Sequence, residues 1–144
     1  MKKIRKILPV FIFVAIMGIT TTVFANTHTT TISVPKGSVR FTNSYKMTQG
    51  KPRLYFRISE IDGSRSTTAE KSTTMDIEVL TTSDKKLISA RRTYDSSWIG
   101  GETKLDGSGR ETEELVWRAK FDTSCGGNVE NPSFESDYVV IASN

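Results

Sequence analysis

Sulfur and imidazole are scarce in this chain of 144 residues, which holds one cysteine, Cys125, and one histidine, His28. A single cysteine excludes an intramolecular disulfide, so the fold must be held by packing. A Ser-His-Asp or Cys-His site needs a rigidly placed imidazole, as do most transition-metal sites. His28 lies close to the start of the expected mature chain, where termini commonly fray, and reads as an exposed terminal residue. No glycine-rich loop leads into Lys-Ser or Lys-Thr, so a phosphate cradle has no support. Asp106-Gly107-Ser108-Gly109 offers one carboxylate among small neighbours, short of the alternating Asp/Asn pattern of a calcium loop. Glu111, Glu113 and Glu114 form the one acidic cluster. Neighbours in one segment cannot stand on opposite sides of a substrate cleft, as the two carboxylates of a glycosidase must. The expectation is a protein with no catalytic set, metal site or cofactor, and not an enzyme.

An excess of one charge is also missing once the N-terminus is set aside. Lys2, Lys3, Arg5 and Lys6 precede the apolar run Ile7 to Ile19, and Val23-Phe24-Ala25 follows, which is the pattern of a secretory signal cleaved after Ala25. Residues 1–25 carry four of the 20 basic residues and none of the 16 acidic ones, so the remaining 119 residues balance at 16 against 16. Nucleic acid and anionic membrane both call for a concentrated basic field, and neither is expected as a partner. The stretch Ile7 to Ala25 also approaches the ~20 apolar residues of a membrane span. Against a retained anchor stand Pro9, Gly18, the Thr20-Thr21-Thr22 run and the Val23-x-Ala25 site. The expectation is therefore a secreted, extracellular protein with no stable membrane insertion after cleavage.

What the rest of the chain does have is serine and threonine alternating with apolar residues in short runs broken by Gly, Pro, Asn and Asp, the pattern of strands and turns. Thr30 to Val34 opens the domain at 26–144, Pro35-Lys36-Gly37 turns, and Val39 to Thr42 resumes with Val39 and Phe41 on one face. Leu54, Phe56 and Ile58 alternate against Tyr55, Arg57 and Ser59, the clearest strand signal. After a polar loop at 63–74, Met75, Ile77 and Val79 mark another strand, with a hairpin turn at Ser83-Asp84-Lys85 into Lys86–Tyr94. Trp98-Ile99-Gly100-Gly101 breaks the chain before a short strand at Glu102–Leu105, and Asp106-Gly107-Ser108-Gly109 is a strong turn. Leu115, Trp117, Ala119 and Phe121 share a face, as do Tyr138, Val140 and Ala142. Ser108 with Glu111 also fits a capping box, and Glu114–Arg118 has helical spacing, so a helix over 110–121 competes with the strand there. Period-2 alternation is the better match. Seven or eight short strands at this spacing predict an all-β, single-domain antiparallel sandwich of two sheets.

Three residues remain. Cys125, in the loop Thr123-Ser124-Cys125-Gly126-Gly127-Asn128, could link two chains as a dimer or stay reduced and partly buried; no partner cysteine or activating histidine is nearby. Trp117 falls among apolar alternates and reads as core. Trp98, between Asp95-Ser96-Ser97 and Gly100-Gly101, sits in or beside a loop, where a large ring either folds back onto the core or stacks on a sugar or protein ligand.

Thr31-Ile32-Ser33-Val34-Pro35-Lys36-Gly37, Val116–Phe121, Asn131-Pro132-Ser133 and the closing Tyr138-Val139-Val140, together with the leader, resemble a loose group of small secreted all-β proteins of Gram-positive bacteria. The resemblance implies an all-β fold and carries over no functional residue, since that group has no assigned activity. The function expected from the residues is a secreted non-catalytic interaction protein that binds protein or glycan at or outside the cell surface, with Trp98 as the binding residue. The alternative is a secreted toxin-like or antibacterial effector.

Overall fold

A computed structural model describes residues 26–107, 113–126 and 130–144. The expected signal at 1–25, the Ser108 and Glu111 capping pair, and Gly109, Gly127 and Asn128 lie outside the described residues.

The described residues form ten strands: β1 (Thr27–Thr30), β2 (Ser33–Val34), β3 (Val39–Phe41), β4 (Tyr45–Lys46), β5 (Pro52–Ile61), β6 (Ser72–Thr81), β7 (Lys86–Asp95), β8 (Glu102–Asp106), β9 (Val116–Asp122) and β10 (Phe134–Ser143). They make two antiparallel sheets, one ordered β1-β10-β5-β8 with β2 also on β10, the other β3-β9-β6-β7 with β4 also on β9. Because β1 and β2 follow each other along β10, and β3 and β4 along β9, the ten strands fill eight positions. The domain is thus the expected two-sheet sandwich, and its strand order is that of a jelly roll, with chain crossings between sheets.

Alternation decides what lies between the sheets. Leu54, Phe56 and Ile58 of β5 face Met75, Ile77 and Val79 of β6 and Trp117, Ala119 and Phe121 of β9, all fully buried. Phe56 meets Phe121 edge-on across the sheets, ring centroids 5.3 Å apart. The 110–121 segment resolves as strand where it is described: β9 starts at Val116, Trp117 is wholly buried, and its indole N–H donates to the Glu114 carbonyl at 2.8 Å. The hairpin at Ser83-Asp84-Lys85 forms, closed by Thr81 N–H on the Lys85 carbonyl with Asp84 at φ 60°. Strand β6 begins at Ser72, inside the segment expected as loop, because Thr73 turns inward and its hydroxyl donates to the Pro132 carbonyl at 2.6 Å.

One expectation gains its side and one is corrected. Tyr138, Val140 and Ala142 share a face as expected, and it is the half-buried outer one. Register shifts around Ser136 move the inner face of β10 from Phe134 and Ser136 to Val139 and Ile141. His28 is not a frayed terminal residue. It pairs with Ile141 in the ladder and stacks on Tyr45 at 4.7 Å, its Nε2 3.2 Å from the Lys46 carbonyl.

The crossings place four connections at one end of the sandwich. Gly37 N–H donates to the Asn131 carbonyl (3.0 Å), Asp62 N–H to Ser133 (2.8 Å) and Ser96 N–H to Lys71 (2.9 Å). These bonds link the connections 35–38, 62–71 and 96–101 and the described residues 123–126 and 130–133 into one rim.

Candidate functional site on the loop rim

Trp98 is placed by a short, tightly bonded turn. Strand β7 ends at Asp95, whose carboxylate accepts from the Ser97 N–H at 2.9 Å and also from the Ser97 hydroxyl, capping a 3-10 turn over Ser96–Trp98. This is the local preference of aspartate at a turn start. Ser96 is buried and ties the turn to the neighbouring connection, its hydroxyl accepting from Lys71 N–H at 2.9 Å. Gly100 leaves the turn at φ 84°, a left-handed conformation that favours glycine, and its N–H donates to the Ile58 carbonyl at 2.8 Å. A Cβ at Gly101 would come within 3.1 Å of the Trp98 carbonyl and 3.6 Å of its ring. The glycine pair that marks a break in the sequence is therefore what lets the chain fold sharply beneath the indole.

The ring is neither wholly core nor wholly free. It meets Tyr94 edge-on at 5.5 Å and 89°; Tyr94 is 2% exposed, whereas Trp98 is 44% exposed. Burial raises the Tyr94 phenol above its ordinary value, with the Thr103 hydroxyl opposing, so Tyr94 is a neutral, fixed support. Beside the turn lies a cavity of about 410 Å³, lined by Thr67, Thr68 and Glu70 from one connection and Asp95, Ser96 and Ser97 from the other. The rim thus sets an indole near hydroxyls and carboxylates, groups that hydrogen-bond to polyols or to peptide N–H groups.

Of the remaining sequence candidates, Cys125 lies in the rim and the glutamates do not. Cys125 is a free, buried thiol 3.7 Å from the Thr74 carbonyl. Burial, then the carboxylate of Asp76, pushes its pKa up, so the unreactive protonated form dominates. Glu114 turns to the β6–β7 hairpin and accepts from the Ser83 hydroxyl at 2.5 Å, which lowers its pKa. Glu113 is exposed, and Glu111 lies outside the described residues. Among the described residues no group of three or more His, Cys, Asp or Glu is arranged to hold a metal ion, and no helix is long and apolar enough to cross a membrane.

Sequence reasoning missed Phe41. It is 43% exposed on the outer face of the second sheet, with the Arg118 guanidinium 4.0 Å above its ring. A signal was available: Phe41 opposes the lysine and arginine side of β9, pairing with Lys120, so its face of the strand is the polar one.

No family model matches the chain, and no curated protein matches it. Among solved structures, an arabinose-bound α-L-arabinofuranosidase is similar over 76% of this chain and 18% of that one, at 12% identity and TM-score 0.43. A structure of infectious bursal disease virus, Gx strain, is similar over 81% of this chain and 32% of that one, at 11% identity and TM-score 0.27. The chain spans less than a third of either, and at these values neither likeness bears on what it does.

Proposed function

We propose that this chain is a secreted, non-catalytic interaction module that binds protein or glycan at or outside the cell surface through the loop rim, with Trp98 as its anchor. The observation that carries the reading is a large aromatic ring, 44% exposed, held on a turn whose backbone is bonded at Asp95, Ser96 and Gly100. A ring already fixed in place loses little conformational freedom on binding, which is why rigid aromatics anchor interfaces and sugar sites. Export follows from the leader pattern, with cleavage after Ala25. A chain beginning at Asn26 keeps the bonds made by that residue, Thr48 N–H to its side-chain oxygen at 2.8 Å and Ser143 N–H to its carbonyl at 3.0 Å.

The test is to incubate tagged mature protein with whole cells, purified peptidoglycan and a glycan array. Saturable binding to one of them, competed by untagged protein, supports the reading. Turnover of an envelope component, or growth inhibition without saturable binding, contradicts it.

A further inference from the structure

The outer face of the second sheet carries a separate concavity of about 250 Å³, built by all four strand positions of that sheet. Phe41, Leu80, Glu78, Asp84, Lys86, Lys120 and Arg118 line it. Register explains the grouping. Lys120 lies opposite both Phe41 and Glu78, and Leu80 lies opposite both Arg118 and Lys86. We infer that this concavity is a second binding site, for an acidic sugar unit of a glycan.

Charge is the first reason. Glu78 is buried, and its two carboxylate oxygens take one lysine each, Lys86 at 2.8 Å and Lys120 at 3.4 Å. Arg118 pairs with Asp84 at 3.1 Å. Three cations therefore face two carboxylates, and one positive charge is left for a ligand. The bond to Glu78 also holds the Lys86 ammonium above the ordinary lysine value, so that cation persists through the physiological range.

Shape and hydrogen-bonding capacity narrow the ligand. Leu80 makes an apolar floor, and Phe41 offers ring surface to solvent while Arg118 covers it from one side. An apolar ring surface beside charged groups suits the C–H face of a sugar. An ammonium has three N–H donors, and the Glu78 contact uses one from each lysine; the carboxylates of Glu78 and Asp84 accept from hydroxyls. A peptide rich in acidic side chains would meet those two carboxylates as like charges, whereas a sugar with one carboxylate and several hydroxyls uses donors and acceptors together. Nothing in this argument involves Trp98, which lies on the loop rim.

The test is calorimetric titration of mature protein with oligoglucuronate and with neutral oligoglucose of the same length. Saturable binding of oligoglucuronate is expected, weakening with salt, with neutral oligoglucose roughly tenfold weaker or worse. Phe41→Ala and Lys86→Gln should each weaken oligoglucuronate by about tenfold, measured per folded molecule, with Lys86→Gln also lowering the melting temperature because it removes the nearer cation from buried Glu78. Trp98→Ala should leave it unchanged, which separates this site from the rim. Equal binding of the neutral oligomer, tighter binding of poly-glutamate, loss through Trp98→Ala alone, or no binding of oligoglucuronate each overturns the inference.

Discussion

Trp117 and Trp98 are both tryptophans, yet their surroundings assign them opposite work. Trp117 is wholly buried at the centre of β9, its N–H satisfied by Glu114, so deleting the ring opens a large cavity and leaves that carbonyl without its donor. Trp117→Ala should destabilise the domain by about 3–5 kcal/mol in chemical denaturation. A loss below about 1 kcal/mol would mean the face assignment of β9 is reversed. Both tryptophans were readable as residue types in context: period-2 neighbours placed Trp117 inside, and flanking glycines placed Trp98 at a break. His28 was not readable, because its partner Tyr45 lies far along the chain and stacks on it only once β1 and β4 stand at adjoining edges of the two sheets.

At the scale of the element, strands whose alternation is unbroken could be read from sequence, and those with a bulge could not. In β5 every second residue from Pro52 to Ile58 is buried, as the pattern of Leu54, Phe56 and Ile58 indicates. In β10 the shift around Ser136 transfers burial to Val139 and Ile141, and no local composition marks where it falls. The same limit hid the jelly-roll order, since pairing of β10 with β5 joins segments separated by most of the chain. The β7–β8 connection is the element on which the proposed site depends, and Gly100 is its stiffest requirement. A Cβ there meets nothing within 4 Å, so Gly100→Ala is disfavoured by the backbone at φ 84° alone. The expected cost is about 1–2 kcal/mol by denaturant titration. An unchanged stability would show that the turn relaxes to another conformation and that Trp98 is not held as described.

The whole molecule relies on packing for its stability, with surface charge modulating it through pH. The pair Arg91–Asp76 links β7 to β6 by two bonds, Nε to Oδ1 at 2.7 Å and Nη2 to Oδ2 at 2.9 Å. Arg91 holds the Asp76 carboxyl below its ordinary value, and the Ser83 hydroxyl does the same for Glu114. For such a group the unfolded chain binds the proton more readily, so its stabilisation is full above the ordinary carboxylate value and is lost as pH falls through it toward the folded value. Tyr94 works in the other direction: its raised phenol value gives stability that is full below the ordinary tyrosine value and lost as pH rises past it. Melting temperature against pH should therefore fall on both flanks, and Asp76→Asn should flatten the acid flank. An acid limb of identical slope in Asp76→Asn would remove this pair from the account.

The central claim, that an exposed ring on a bonded turn is the working surface, is tested most directly by Trp98→Ala, measured for ligand binding and melting temperature on the same preparation. The ring is 44% exposed and meets buried Tyr94 at right angles, so its removal should leave the melting temperature nearly unchanged while abolishing binding to the ligand found on cells, peptidoglycan or the glycan array. A large fall in melting temperature, with binding intact among the molecules still folded, would contradict the claim and make Trp98 a structural residue.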